Sequence, residues 1–292
     1  EDGIRDVERS RGLGDVYKRQ VICDPGLEDA ARDIIDIHPD LSVGIINVRD
    51  VYNQFGDGRV SPSAIKEFIT HCYSTWTVKP RYLLLVGDCA YDRTGAVPSY
   101  YIYDAYYGTV PADNWFACIE GEDAVPDLAI GRIPAENDTE LKGYLQKVKD
   151  YLSLAPPGQW EENVIFIADD SDGVPEDEVF PTYNNEAASI VPGGYNNIMI
   201  NLEAFQDPAD CTSVIIEKIE QGALITEYLG HGGIYMWAAE MIFVNSDLWG
   251  RTDAEDLTAV NYRYPFFITI ACLDGCFIEP DDSFRSLSEH LL

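Results

Sequence analysis

The sequence predicts an α/β protein with a mostly parallel sheet flanked by helices. Two observations carry this. Short apolar runs such as RYLLLVG and VIFIA are nearly continuous, as in strands buried on both faces. These runs alternate with amphipathic helical stretches, and a helix between two strands is the crossover that a parallel pair needs.

The elements follow in order. Val43–Asn47 reads as a strand. Ser61 and Pro62 form an N-cap and first position for a helix over Ala64–Trp76. Arg81–Gly87 is the strongest buried strand, and a domain boundary is expected just before it. That gives an N-terminal αβ subdomain, 21–80, and a larger domain, 81–292. Residues 89–125 read as irregular and aromatic, with Tyr100–Tyr107 packing under a long loop. Asp127–Arg132 adds a short strand. Asn137 or Asp138 caps a long helix, Thr139–Leu154, whose apolar face is Leu141, Leu145, Val148 and Leu152. Ala155-Pro156-Pro157-Gly158 ends it. Strand Val164–Ala168, a helix around Tyr183–Ile190, strand Asn197–Ile200, helix Ser213–Gln221 and strand Ala223–Leu229 come next. A long loop with one helical turn near Glu255–Val260 leads to strand Pro265–Ala271. Ser288–Leu292 reads as the start of a cut helix.

Residues 1–20 stand apart. They hold five basic and five acidic side chains and no apolar periodicity. RDVERSRGLGDVYKRQ resembles translated sequencing-adapter sequence, so this stretch is expected to be a non-native leader of a metagenomic fragment.

Charge narrows the partners. The 292 residues carry 20 Lys+Arg against 51 Asp+Glu, a net charge of −31. Such a surface repels phosphates, which argues against nucleic acid and anionic membranes. The longest nearly apolar run, Pro265–Leu273, is about half of the ~20 residues a membrane helix needs. Seven cysteines, an odd number without a Cys-x-x-Cys pair, do not make a disulfide scaffold.

In open parallel sheets ligands bind beyond the carboxyl ends of the strands. Asp88-Cys89 follows the strand 81–87, and Asp169-Asp170-Ser171-Asp172 follows 164–168. Gly230-His231-Gly232-Gly233 follows 223–229, and Cys272-Leu273-Asp274-Gly275-Cys276 follows 265–271. A His and a Cys thus leave two late strands at one sheet edge. Imidazole next to a thiol favours the nucleophilic thiolate and then protonates the leaving amine. The N–H groups of Gly232 and Cys272 offer an oxyanion hole. Taken singly, a Cys ending an apolar strand is more often an inert core residue.

These segments resemble the gingipain-type cysteine peptidases. LGHGG (Leu229–Gly233) is similar to the segment carrying their catalytic His, and PFFITIACLDGCF (Pro265–Phe277) to the one carrying their nucleophilic Cys. YLLLVGD (Tyr82–Asp88), ADNWFACIEG (Ala112–Gly121) and PDLAIGRIPAE (Pro126–Glu136) match as well. The resemblance covers roughly residues 40–292 and implies a caspase-like three-layer α/β sandwich, with endopeptidase cleavage through a His–Cys dyad.

Carried over by position, His231 is the general acid/base, Cys272 the nucleophile, and Gly232 with Cys272 the oxyanion donors. The acidic residue near the His falls among Asp169, Asp170 and Asp172, with Asp170 taken first. Glu178 is the nearest acidic residue for a substrate pocket, across a gap that leaves arginine preference open. Two departures stand out. Cys276 follows Cys272 by four residues and offers a competing nucleophile or a local disulfide. Family members also continue beyond this C-terminus.

The chemistry needs no cofactor. Asp169, Asp170 and Asp172 equally suit a structural Ca²⁺ or a solvated loop. No G-x-S-x-G elbow, phosphate-binding loop or H-E-x-x-H motif is present. The expectation is a secreted or cell-surface cysteine endopeptidase acting on proteins or peptides, as one part of a larger precursor. The rival is an inactive caspase-like scaffold or calcium-binding module. A flavodoxin-like nucleotide binder ranks last.

Overall fold

The computed structural model describes residues 19–89, 97–105, 108–171, 179–246, 249–258, 260–278 and 285–292. Two compact units divide the chain, Glu1–Val148 and Lys149–Leu292. The expected boundary before Arg81 is corrected by this division. It would cut a sheet whose strands pair across it.

The first unit contains β1 (Arg19–Cys23), α1 (Glu28–Ala31), α2 (Ile34–Ile37), β2 (Val43–Asn47), α3 (Val48–Phe55) and α4 (Pro62–Thr75). It continues through β3 (Tyr82–Val86), β4 (Tyr101–Asp104), β5 (Gly108–Pro111), a 3-10 turn (Asp113–Ala117) and β6 (Ala129–Ile133), and α5 (Asp138–Leu154) begins in it. The order β2-β1-β3-β6 is parallel throughout. β1 is internal, with Val21, Ile22 and Cys23 fully buried. Its first residues, Arg19 and Gln20, belong to the stretch expected to be a leader, yet they pair in register with Val43 and Gly44 of β2 and with Tyr82 and Leu83 of β3. The rest of the leader, 1–18, lies outside the described residues.

Alternating side chains give this sheet two covered faces. Ile22, Leu83 and Leu85 pack with Val51, Ile65 and Phe68 of α3 and α4. Val21, Cys23 and Val86 pack with Ala30, Ile34, Leu141 and Leu145 of α1, α2 and α5. The result is three layers. The aromatic stretch holds more order than expected. β4 and β5 form a hairpin, and Tyr100 stacks on Trp115 with ring centroids 4.0 Å apart.

The second unit contains β7 (Asn163–Ala168), α6 (Phe180–Ile190), β8 (Asn196–Asn201), α7 (Pro208–Gln221), β9 (Ile225–Leu229) and four short strands. These are β10 (Gly232–Gly233), β11 (Met236–Trp237), β12 (Phe243–Ser246) and β13 (Arg251–Thr252). β14 (Phe266–Ile270) and α8 (Leu287–Leu291) complete it. The parallel order is β14-β9-β7-β8. One face, including Ile165, Ile167 and Tyr228, packs on Cys211, Ile215 and Ile219 of α7. Asp207 caps α7 by accepting from Ala209 N, ahead of Pro208 at the first turn.

Two expectations change here. The segment after β9 is not a long loop with a helical turn at 255–260. It folds into β10–β13, with a turn at 253–256. β14 is an edge strand rather than a fully buried one. Phe266, Ile268 and Ile270 are exposed on one face, while Phe267 packs inward.

Candidate active site

β9 and β14 pair in parallel with Leu229 opposite Ile270. The residues that follow them, Gly230-His231-Gly232 and Ala271-Cys272, therefore leave the sheet side by side. Gly230 N donates to Ile270 O at 3.3 Å, which ties the two exits together. A hairpin then turns the chain back, pairing Gly232 with Trp237 and Gly233 with Met236.

Close approach explains both glycines around His231. A Cβ on Gly230 would sit 2.3 Å from Asp169 Cβ and 2.6 Å from the Tyr228 hydroxyl. A Cβ on Gly232 would sit 2.7 Å from Ala271 Cβ and 3.4 Å from Cys272 N. Only hydrogen at these positions lets the His231 main chain lie between Asp169 and the Cys272 turn.

The main chain of His231 is held on both sides. Its N–H donates to Asp169 Oδ2 at 2.9 Å. Its carbonyl accepts from the Tyr228 hydroxyl at 2.6 Å and from Ala238 N at 2.9 Å. Ala238 N also donates to the Tyr228 oxygen at 2.9 Å. Ala238 holds a left-handed φ of 60°, a strained setting for alanine that costs about 1 kcal/mol or more. The imidazole meets the Phe180 ring edge-on, centroids 5.4 Å apart at 87°.

Asp169 is fully buried, and burial raises its carboxyl above the ordinary range. The N–H donors of His231 and Asp170 work against that rise. Asp170 lies next to it and donates its own N–H to Asp169 Oδ1 at 2.9 Å. The carboxylates of Asp169, Asp170 and Glu240 lie within 4.8 Å of one another, a donor set of the kind hard cations take. Glu240 joins this cluster although no motif marks it in the sequence. Asp172 and Glu178 lie outside the described residues.

The Cys272 side is anchored separately. Trp237 Nε1 donates to Asp274 Oδ2 at 3.1 Å, and Asp274 is buried. Trp237 stacks on Tyr228, centroids 4.5 Å apart and nearly parallel at 11°. Among the described residues, which include all seven cysteines, no disulfide forms, so Cys276 is not in a local disulfide. Accessibility separates the thiols. Burial pushes Cys23 and Cys211 up to about 12 and Cys89 up to about 11, which leaves them inert at neutral pH. Cys272 is exposed, whereas Cys276 is half-buried.

Known proteins resemble this chain along much of its length. Gingipain R2 of Porphyromonas gingivalis is 25% identical over 223 residues, covering 75% of this chain and 27% of that protein. An uncharacterized protein of Archaeoglobus fulgidus is 25% identical over 210 residues, covering 68% of this chain and 48% of the relative. The chain thus spans about a quarter of the gingipain and about half of the archaeal protein. The solved Arg specific cysteine proteinase gingipain R has the same fold, at a TM-score of 0.74 and 21% identity, over 95% of this chain and 59% of that one. The expected caspase-like α/β architecture is therefore present, its parallel strands divided between two sheets. The model of peptidase family C25 matches residues 17–292, and the chain belongs to that family.

Proposed function

We propose that this chain carries the catalytic part of a cysteine endopeptidase, with Cys272 as nucleophile and His231 as general acid and base. The observation that carries the reading is the pairing of Leu229 with Ile270, which brings the His231 and Cys272 turns to adjacent strand ends. Membership of a peptidase family supports it.

The chemistry follows from these groups. His231 takes the proton from the Cys272 Sγ, and the thiolate attacks the substrate carbonyl carbon. The N–H groups of Gly232 and Cys272 receive the oxyanion. Collapse breaks the C–N bond, and His231 gives its proton to the departing amine. Water, deprotonated by His231, then attacks the thioester and releases the acid and the thiol. The contacts of Asp169 support it as the acidic partner of His231, acting on the main chain, in place of Asp170. The substrates on this reading are proteins or peptides, and the location is secreted or cell-surface, which fractionation of the producing cells checks.

Cys272→Ala and His231→Ala should each abolish hydrolysis of casein by the purified chain. Unchanged hydrolysis in Cys272→Ala would contradict the mechanism. A second reading, a calcium-binding scaffold, draws on the Asp169–Asp170–Glu240 cluster. It requires a large rise in Tm with Ca²⁺, reversed by EDTA, together with an unreactive Cys272.

A further inference from the structure

Two loops must keep their spacing for a His–Cys pair to work, and their strands alone do not fix it. β9 ends at Leu229 and β14 at Ile270, so His231 and Cys272 each lie two residues beyond the last ladder pair. A stacked pair of rings, both fully buried, is hydrogen-bonded to the two loops. Each ring reaches one loop with its only polar atom. The Tyr228 hydroxyl has one proton to give. It gives it to the His231 carbonyl at 2.6 Å, while Asp169 Oδ2 sits farther off at 3.4 Å. The Trp237 indole N–H goes to Asp274, two residues past Cys272.

We propose that the stacked Tyr228–Trp237 pair is a positioning bracket that sets the His231–Cys272 spacing, one ring holding the His231 carbonyl and the other the Asp274 carboxylate. This rests on the peptidase reading for its effect on turnover, and on contacts alone for the bracket. The setting is a demanding one for polar atoms. A buried phenol or indole needs its partner, so each ring is confined to one orientation. The two rings lie 4.5 Å apart, so a shift of one moves the other. Neither ring is assigned contact with substrate; both act through other residues.

The test uses three single variants of the full chain and the double variant that combines Tyr228→Phe with Asp274→Ala. Tyr228→Phe removes one hydroxyl and keeps the stack. Asp274→Ala removes the acceptor of the indole, whereas Asp274→Asn keeps an oxygen that accepts from it. Misplacement by about 1 Å costs on the order of 100-fold in rate. Tyr228→Phe and Asp274→Ala should therefore each lower kcat about 10- to 100-fold with KM within about 2-fold. Asp274→Asn should restore most of the loss. Because the two arms hold one distance, the double variant should lose less than the product of the single losses.

Hydrogen exchange at the His231 and Ala238 amides and at the Trp237 indole reads the bracket without activity. Protection should fall at the amides in Tyr228→Phe and at the indole in Asp274→Ala. Unchanged kcat in folded Tyr228→Phe, or an Asp274→Asn as slow as Asp274→Ala, would overturn the proposal. If wild type itself does not turn over, or Cys272→Ala keeps full activity, the peptidase reading fails. Exchange alone then decides the bracket, and unaltered protection overturns it.

Discussion

The proposed pair, His231 and Cys272, stands out in the sequence because each lies just past an apolar run, where a parallel sheet presents its chemistry. Their supports are not readable. Asp169 and Asp170 look equivalent on paper, and only the fold shows that one carboxylate is buried under His231 N while the other is half-exposed. Glu240 carries no motif, because it lies on a hairpin formed after His231, and Asp274 sits inside the Cys272 segment with no sign in the sequence that Trp237 meets it. Gly232→Ala should lower kcat/KM by about 100-fold, because its methyl would displace Ala271 and the His231 turn. Steady-state kinetics on a casein-derived peptide checks this. Gly230→Ala should lower stability by at least about 1–3 kcal/mol, the cost of overpacking, read from the urea midpoint. Asp169 adds a pH effect. Its folded value is raised, so its favourable contribution is complete below the ordinary carboxylate value of 3.8 and is lost as pH rises through the raised value. Asp169→Asn should flatten that part of the stability–pH curve, as urea titrations across the acid range would show.

At the scale of elements, most strands and the longer helices follow from periodicity, and the exceptions have physical reasons. β1 escapes notice because its apolar run is only Val21–Cys23, too short to show a period, although it sits inside its sheet. α1 and α2 are single turns of four residues, whose stability comes from burying Ala30, Ala31 and Ile34 rather than from helix propensity. β4 and β5 are hidden among aromatic residues that read as loop. The contact between the 3-10 turn and β6 depends on a buried ion pair. Arg132, with a side chain 5% exposed, meets both Asp113 oxygens at 2.6 and 3.0 Å and also donates to the carbonyls of Gly87 and Val97. Removing one partner strands a buried charge. Asp113→Ala should cost about 3–5 kcal/mol, measured by urea unfolding. Ile215→Ala in α7 should cost about 2–5 kcal/mol by leaving a cavity.

At the scale of the whole molecule, charge is the feature that the sequence reveals without ambiguity. A net −31 on 292 residues opposes its own compaction. Raising NaCl should raise Tm, since the Debye length falls from about 30 Å at 0.01 M to about 10 Å at 0.1 M. The fold is legible as parallel α/β, while its division into two units is not. Residues on both sides of the expected boundary read as the same alternation of strand and helix, and only pairing of β3 with β1 shows that they share a sheet. Among the described residues no helix is long and apolar enough to cross a membrane. On the proposed mechanism one thiol of seven is the nucleophile, and His231 makes it so. Alkylation with iodoacetamide at neutral pH, mapped by mass spectrometry, tests this most directly. Cys272 should react well ahead of the other six, and His231→Ala should slow it at least about 10-fold. Equal labelling of Cys272 and Cys276, or a Cys272 rate unchanged in His231→Ala, would contradict that mechanism.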